Sequence, residues 1–183
     1  MWKLYVFTIA TVLLTYISRA SFRKRGSHGF YRFFAWECIL LLFLLNVEVW
    51  FVTPFSWHQL TAWTLLFASL VPLVFGVRSL RTRGQPTEER AGDSSLLAFE
   101  KTTSLVTTGV YAYIRHPLYS ALLLLTWGIF FKAPGLFAGS VAVAATGFLM
   151  STAKADEREC LQFFGDDYRS YMQKTERFIP HLF

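Results

Sequence analysis

The chain has 183 residues, of which 54% are hydrophobic and 16% charged, against about 25% charged in an ordinary soluble domain. That balance excludes a conventional water-soluble globule, and the length leaves no room for a separate soluble domain. A formal charge of +6 would direct a soluble chain to nucleic acid; in an apolar chain, the placement of the charges carries the information, and no nucleic-acid partner is expected.

Five apolar runs follow in order, at 4–17, 33–52, 60–77, 118–131 and 136–150. Alternating ten-residue patterning is absent, so these runs read as helices, whose backbone groups are satisfied internally, and not as barrel strands. The expected fold is all-α: a polytopic membrane protein with about five transmembrane helices, forming one domain over 1–183. The first run also has the shape of a secretory signal, with Ser18 and Ala20 placed like a cleavage site. The basic cluster that follows it, Arg19, Arg23, Lys24, Arg25 and Arg32, instead marks a cytoplasmic stop.

That cluster, the loop after the third run (Arg78 to Arg115) and the tail from Lys154 hold all of the 18 basic residues except Lys3 and Lys132. The positive-inside rule places the N-terminus outside and the two long loops and the tail in the cytoplasm. Glu37 and Glu48 fall in or near the second run, within about 20° of one helix face. Both are expected near the interfaces, with Glu37 the better candidate to line a cavity on the cytoplasmic side. Pro72 is expected to kink the third span. Lys132-Ala133-Pro134-Gly135 is short enough to force an antiparallel hairpin of the last two spans, in which Gly135, Ala138, Gly139, Ala142 and Thr146 permit close packing. Cys38 and Cys160 are too far apart in this topology to form a disulfide or a metal site.

Polar chemistry concentrates at two places that the hairpin brings together. The first is Arg115-His116-Pro117-Leu118-Tyr119, where Pro117 suits the first turn of a helix. The free N–H groups of that turn, with Arg115, read as an anion site; the plain alternative is that Arg115 is an interfacial anchor and His116 a cap. The second is Asp156-Glu157-Arg158-Glu159-Cys160, about 20 residues along the last helix and so at the same interface. Its carboxylates read either as partners for a ligand's hydroxyl or ammonium groups or as a solvated charge run. The tail beyond it, Phe163 to Pro180, interleaves aromatic and basic residues, as in a cytoplasmic interfacial helix.

These motifs resemble the integral membrane methyltransferases of the isoprenylcysteine carboxyl methyltransferase family and its phospholipid methyltransferase relatives. The likeness rests on residues 105–119 with their Arg115-His116-Pro117-x-Tyr119 element, on Asp156-Glu157-x-x-Cys160 against a Glu-Glu-x-x-Leu element, and on Phe164 to Tyr168 and Arg177 to Pro180. Asp156 and Cys160 depart from the pattern. The resemblance implies S-adenosyl-L-methionine as methyl donor without a metal, and places the catalytic part at about 100–183. Donor-binding roles pass to Gly109, Tyr113, His116, Tyr119, Asp156 and Glu157, and catalytic roles to Arg115 and Glu157. It implies a lipid-soluble, prenylated or otherwise amphiphilic acceptor reached from the membrane lipids, in a multi-pass protein of a bacterial inner membrane with its site on the cytoplasmic side. Sterol and steroid reductases share a similar C-terminal half, so a membrane reductase, or a non-catalytic membrane subunit, stands as the alternative.

Overall fold

The computed structural model describes residues 1–84 and 103–180. It is all-helical: α1 (Trp2–Ser18), α2 (His28–Asn46), α3 (Trp57–Arg83), α4 (Pro117–Phe130), α5 (Leu136–Phe164) and α6 (Asp166–Met172), with short 3₁₀ turns between them. Among the described residues there is no β-strand, and one parallel bridge joins Ile114 to Glu176. Arg90 and Lys101, part of the predicted basic loop, lie outside the described residues.

Three stretches are long and apolar enough to cross a membrane: His28–Val49 with 22 residues, Trp57–Arg83 with 27 and Leu136–Phe164 with 29. α1 and α4 are apolar but shorter; the 14 residues of α4 rise only about 21 Å, less than the ~30 Å of a hydrocarbon core.

α2 begins five residues before its apolar run. The reason is local: the Ser27 side chain accepts a hydrogen bond from the Phe30 N–H at 3.2 Å, capping one of the orphan donors of the first turn. That earlier start pushes Glu37 to the middle of α2, where it accepts from Thr11 of α1 at 2.8 Å. It therefore faces α1 and not a cavity at the cytoplasmic end, contrary to the expectation from the apolar run. Glu48 pairs with Lys3 at 3.1 Å, tying the start of α1 to the end of α2. α3 continues through Pro72 without ending.

The helices pack in the spatial order α1, α2, α5, α4, α3. The α4–α5 hairpin forms, yet each arm leans mainly on another helix, α5 on α2 and α4 on α3. The small face of α5 explains this. Ala138, Val141 and Ala142 close a core with Leu42 of α2 and Ile129 of α4, and Ala145, Leu149 and Ala153 continue it fully buried. On the other side, a Cβ at Gly128 would lie 2.9 Å from Leu66 Cγ, so the close approach of α3 and α4 requires glycine there. Large apolar side chains on α1 and α3, among them Leu4, Ile9, Phe67 and Phe75, stay exposed, as a lipid-facing surface requires.

Lys132, in the α4–α5 turn, is 1% exposed. Its ammonium donates to Gln59 Oε1 at 2.9 Å and to the Trp50 carbonyl at 3.3 Å, and sits 3.4 Å from the Trp63 ring centroid. The charge is housed by dipoles and a π-face. This lysine is a packing element of the far end of the bundle, the end opposite the polar motifs.

Candidate active site

α4 starts at Pro117, as its ring favours. The residue before it, His116, occupies the N-cap position without capping through its side chain. The imidazole turns instead toward α5, with Nδ1 3.5 Å from Asp156 Oδ2 and Nε2 3.3 Å from Glu157 Oε1. Tyr119, one turn on, stacks on the His116 ring at 5.3 Å and donates its hydroxyl to Asp156 Oδ2 at 3.3 Å. The two polar motifs thus converge. Burial disfavours charge on His116, but its hydrogen bonds to Asp156 and Glu157 and their negative charges outweigh that and raise its pKa above the ordinary histidine value. A carboxylate at each nitrogen favours the protonated ring.

Glu157 is buried and saturated with cationic partners. Arg115 Nε donates to it at 3.0 Å, and Arg177 donates through Nε at 3.0 Å and Nη2 at 2.8 Å. The other arm of Arg115 reaches the Met172 carbonyl at 3.0 Å and the Thr175 carbonyl. Backbone bonds complete the seam: Arg115 N–H to Glu176 O at 2.8 Å, His116 N–H to Arg177 O at 3.1 Å and Glu176 N–H to Tyr113 O at 3.1 Å. Ser120 donates to the Phe178 carbonyl at 2.8 Å. The tail is therefore stitched along the entry to α4.

α6 follows Gly165 and turns its aromatic face inward, with Tyr168 and Tyr171 buried. Tyr171 donates to the Tyr111 carbonyl at 2.6 Å. Burial lifts both phenols well above their usual range, Tyr168 further through the negative charges of Asp156 and Glu157. Both hydroxyls stay neutral. The predicted interfacial helix thus packs against the site as its wall.

Between these elements lies a solvent-connected cavity of about 100 Å³. Asp156, Glu159 and Cys160 line it from α5, Arg115 to Tyr119 from the start of α4, and Phe164, Tyr168 and Tyr171 from the α5–α6 turn. His28 closes the side contributed by α2, and Leu80, Leu105 and Val106 supply an apolar edge.

Of the residues predicted from the sequence, His116, Tyr119, Asp156 and Arg115 line the cavity, and Glu157 stands directly behind it as the anchor of two arginines. Tyr113 is 64% exposed and outside the lining. Gly109 has φ +69° and lies against α3, where a Cβ would meet Ser79 Oγ at 3.2 Å; its role in this geometry is the turn. Among the polar lining residues, His28 has no place in the sequence reading, and Glu159 stands in the acidic motif without a site role of its own. Glu159 accepts from the His28 N–H at 3.0 Å and lies 2.6 Å from His28 Nδ1. The signal for His28 was the Ser27 cap just before it; for Glu159 it was the i, i+3 spacing from Asp156, which puts both on one helix face.

Proteins of similar sequence are named as methyltransferases. The chain is 33% identical over 73 residues to methanethiol S-methyltransferase 1 of Bradyrhizobium diazoefficiens, covering 39% of this chain and 24% of that protein. It is 25% identical over 139 residues to methanethiol S-methyltransferase of Mycobacterium tuberculosis, covering 74% and 49%. It is also 32% identical over 78 residues to protein-S-isoprenylcysteine O-methyltransferase of Schizosaccharomyces pombe, covering 42% and 33%. The chain spans half or less of the length of these curated relatives. No protein-family model matches it, and no solved structure matches it significantly. The resemblance to membrane methyltransferases of the isoprenylcysteine type is thereby found in named proteins.

Proposed function

We propose that this protein transfers a methyl group from S-adenosyl-L-methionine to a membrane-embedded or amphiphilic acceptor. The observation that carries the reading is the meeting of the His116–Tyr119 element with Asp156 across a cavity, in a chain similar to methyltransferases of two kinds.

The residues present fit the donor. Asp156 lines the cavity as a carboxylate and suits its ammonium, ribose hydroxyls or sulfonium charge, while Tyr119, Phe164, Tyr168 and Tyr171 offer faces for the adenine and the cation. When bound, the donor supplies the methyl group on a sulfonium. The chain's own work is positioning. His116 fixes Asp156, the Arg115–Glu157–Arg177 set fixes the tail over the site, and buried rings exclude water. A nicotinamide dinucleotide fits less well, because the cavity's arginine, Arg115, is spent on Glu157 and on backbone carbonyls, whereas a pyrophosphate needs free cations.

In this reading, residues 1–183 form one membrane domain in which α1 and α4 join the three longer helices as crossings. The N-terminus is outside, and the site faces the cytoplasm of a bacterial cell. The acceptor enters from lipid and the donor from water. The test is titration of the purified full chain in detergent with S-adenosyl-L-methionine, S-adenosylhomocysteine and reduced nicotinamide dinucleotide phosphate. Binding of the first two is expected; binding of the third alone would overturn the proposal in favour of a reductase.

A further inference from the structure

We infer that His28, held by Glu159, is the proton acceptor of the reaction, a base that suits the thiol S-methylation named for some of the relatives rather than the O-methylation named for others. The inference rests on the methyl-transfer reading above and names the chemistry of its second substrate.

His28 opens α2 and is fully buried. Glu159 grips it twice, at the backbone N–H and at Nδ1, 3.0 and 2.6 Å away. That double contact fixes the ring and sets Nδ1 as the protonated nitrogen in the neutral form, leaving the Nε2 lone pair as the base. Nε2 is buried and has no hydrogen-bond partner among the described residues, although both His28 and Glu159 line the cavity. A buried polar atom left without a partner calls for a role, and a base oriented by a carboxylate is the arrangement that activates a nucleophile.

The other cavity groups are poorly placed for this task. His116 has a carboxylate at each nitrogen and no free lone pair. Tyr119 donates to Asp156 and Tyr171 to a carbonyl. The acceptor follows from the presence of a base. A carboxylate acceptor arrives ionised and needs none. A thiol, with an ordinary pKa of ~8.5, lies within reach of an imidazole, unlike an alcohol or an ammonium group near 10 or above. Leu80, Leu105 and Val106 at the cavity edge suit an alkyl chain on that thiol.

In the step, the S–H proton passes to His28 Nε2. The sulfur's electron pair forms the new bond to the methyl carbon, and the donor's C–S bond breaks with its pair returning to the sulfonium sulfur. The products are a methyl thioether, a neutral donor thioether and an imidazolium that releases its proton to water.

The test uses the full chain in nanodiscs. His28→Gln is expected to lower kcat/KM for an alkyl thiol by about a hundred- to ten-thousand-fold. For a thiophenol already ionised at the assay pH, the loss should be much smaller, and S-adenosylhomocysteine affinity should stay within about twofold of wild type. Glu159→Gln, which removes the orienting charge, should show the same dependence on thiol acidity with a smaller loss. A donor-free readout uses nitrogen-15 histidine labelling. Adding the alkyl thiol should shift one imidazole resonance that His28→Gln lacks, and this holds for wild type even if the variant folds poorly. Equal losses on both thiols, or an unshifted resonance, would overturn the role of His28. Methylation of carboxylates but not thiols would overturn the thiol while leaving methyl transfer standing; no donor binding at all would remove both.

Discussion

Arg177 grips Glu157 with both arms, Nε to Oε1 at 3.0 Å and Nη2 to Oε2 at 2.8 Å. Because Arg115 uses the same carboxylate, one buried acid joins the entry of α4, the end of α5 and the tail. Removing one member of a buried ion pair costs about 3–5 kcal/mol, since the others are left uncompensated. Glu157→Ala is therefore expected to lower the thermal midpoint in detergent strongly and to open the tail beyond α6 to limited proteolysis. A tail as resistant as in wild type would refute the clamp.

The imidazolium of His116 makes stability depend on pH in a definite direction. Its folded pKa is raised by Asp156 and Glu157 against the opposing effect of burial. Its stabilising contribution is therefore complete below the unfolded value of about 6.5 and is lost as pH rises through the folded value. The wild-type midpoint should fall as pH rises above about 6.5, and the His116→Gln profile should be flatter over that interval. Parallel profiles would mean that His116 is neutral in the folded protein.

Donor binding separates the residues that line the cavity from those behind it. Asp156→Asn removes a charge that faces both His116 and the cavity, and hydrogen bonds to charged groups are worth roughly 1.5–3 kcal/mol. Calorimetry with S-adenosylhomocysteine is expected to show about ten- to a hundred-fold weaker binding, and a similar loss for His116→Ala. Tyr113→Phe, at an exposed position outside the lining, should bind as wild type does. Undiminished affinity in both site variants would place the donor elsewhere.

Much of this arrangement is legible in the amino-acid sequence. Pro117 announced the start of α4, the short 132–135 turn forced the hairpin, and counting along α5 put Asp156 and Glu157 level with His116. Those inferences use local rules: ring constraint, loop length and rise per residue. What was not legible depends on tertiary packing. His28 and Glu159 are 131 positions apart and meet because α5 packs chiefly on α2, a pairing that hairpin logic does not produce. Lys132 read as a charge on the outer side, and nothing local revealed that Trp50, Trp63 and Gln59 would close around it. Glu37 was misplaced because the apolar run marks only the greasy part of α2, while the Ser27 cap marks its start.

The Lys132 cage and the Lys3–Glu48 pair make opposite predictions at the same end of the bundle. Lys132 is buried against a ring and two oxygens; a desolvated cation–π contact contributes about 2 kcal/mol or more. Lys132→Met is expected to lower the thermal midpoint equally at low and high salt. Lys3 and Glu48 form a partly exposed pair, of the kind that contributes about 0–1 kcal/mol and is screened. Lys3→Met should leave the midpoint almost unchanged. A salt-dependent loss for Lys132→Met would show that water reaches the cage.

Orientation is tested at two exposed positions on opposite sides of the proposed membrane. Phe55, between α2 and α3, is 87% exposed, and Ser170, on the outer face of α6, is exposed. All but two of the basic residues fall in segments on the Ser170 side of the proposed topology, so the positive-inside rule puts Ser170 in the cytoplasm and Phe55 outside. In a background with Cys38 and Cys160 replaced, a membrane-impermeant maleimide added to intact cells is expected to label Phe55→Cys directly. It should label Ser170→Cys only after the membrane is opened. Labelling of Ser170→Cys in intact cells, with Phe55→Cys protected, would invert the topology and move the cavity to the outer face.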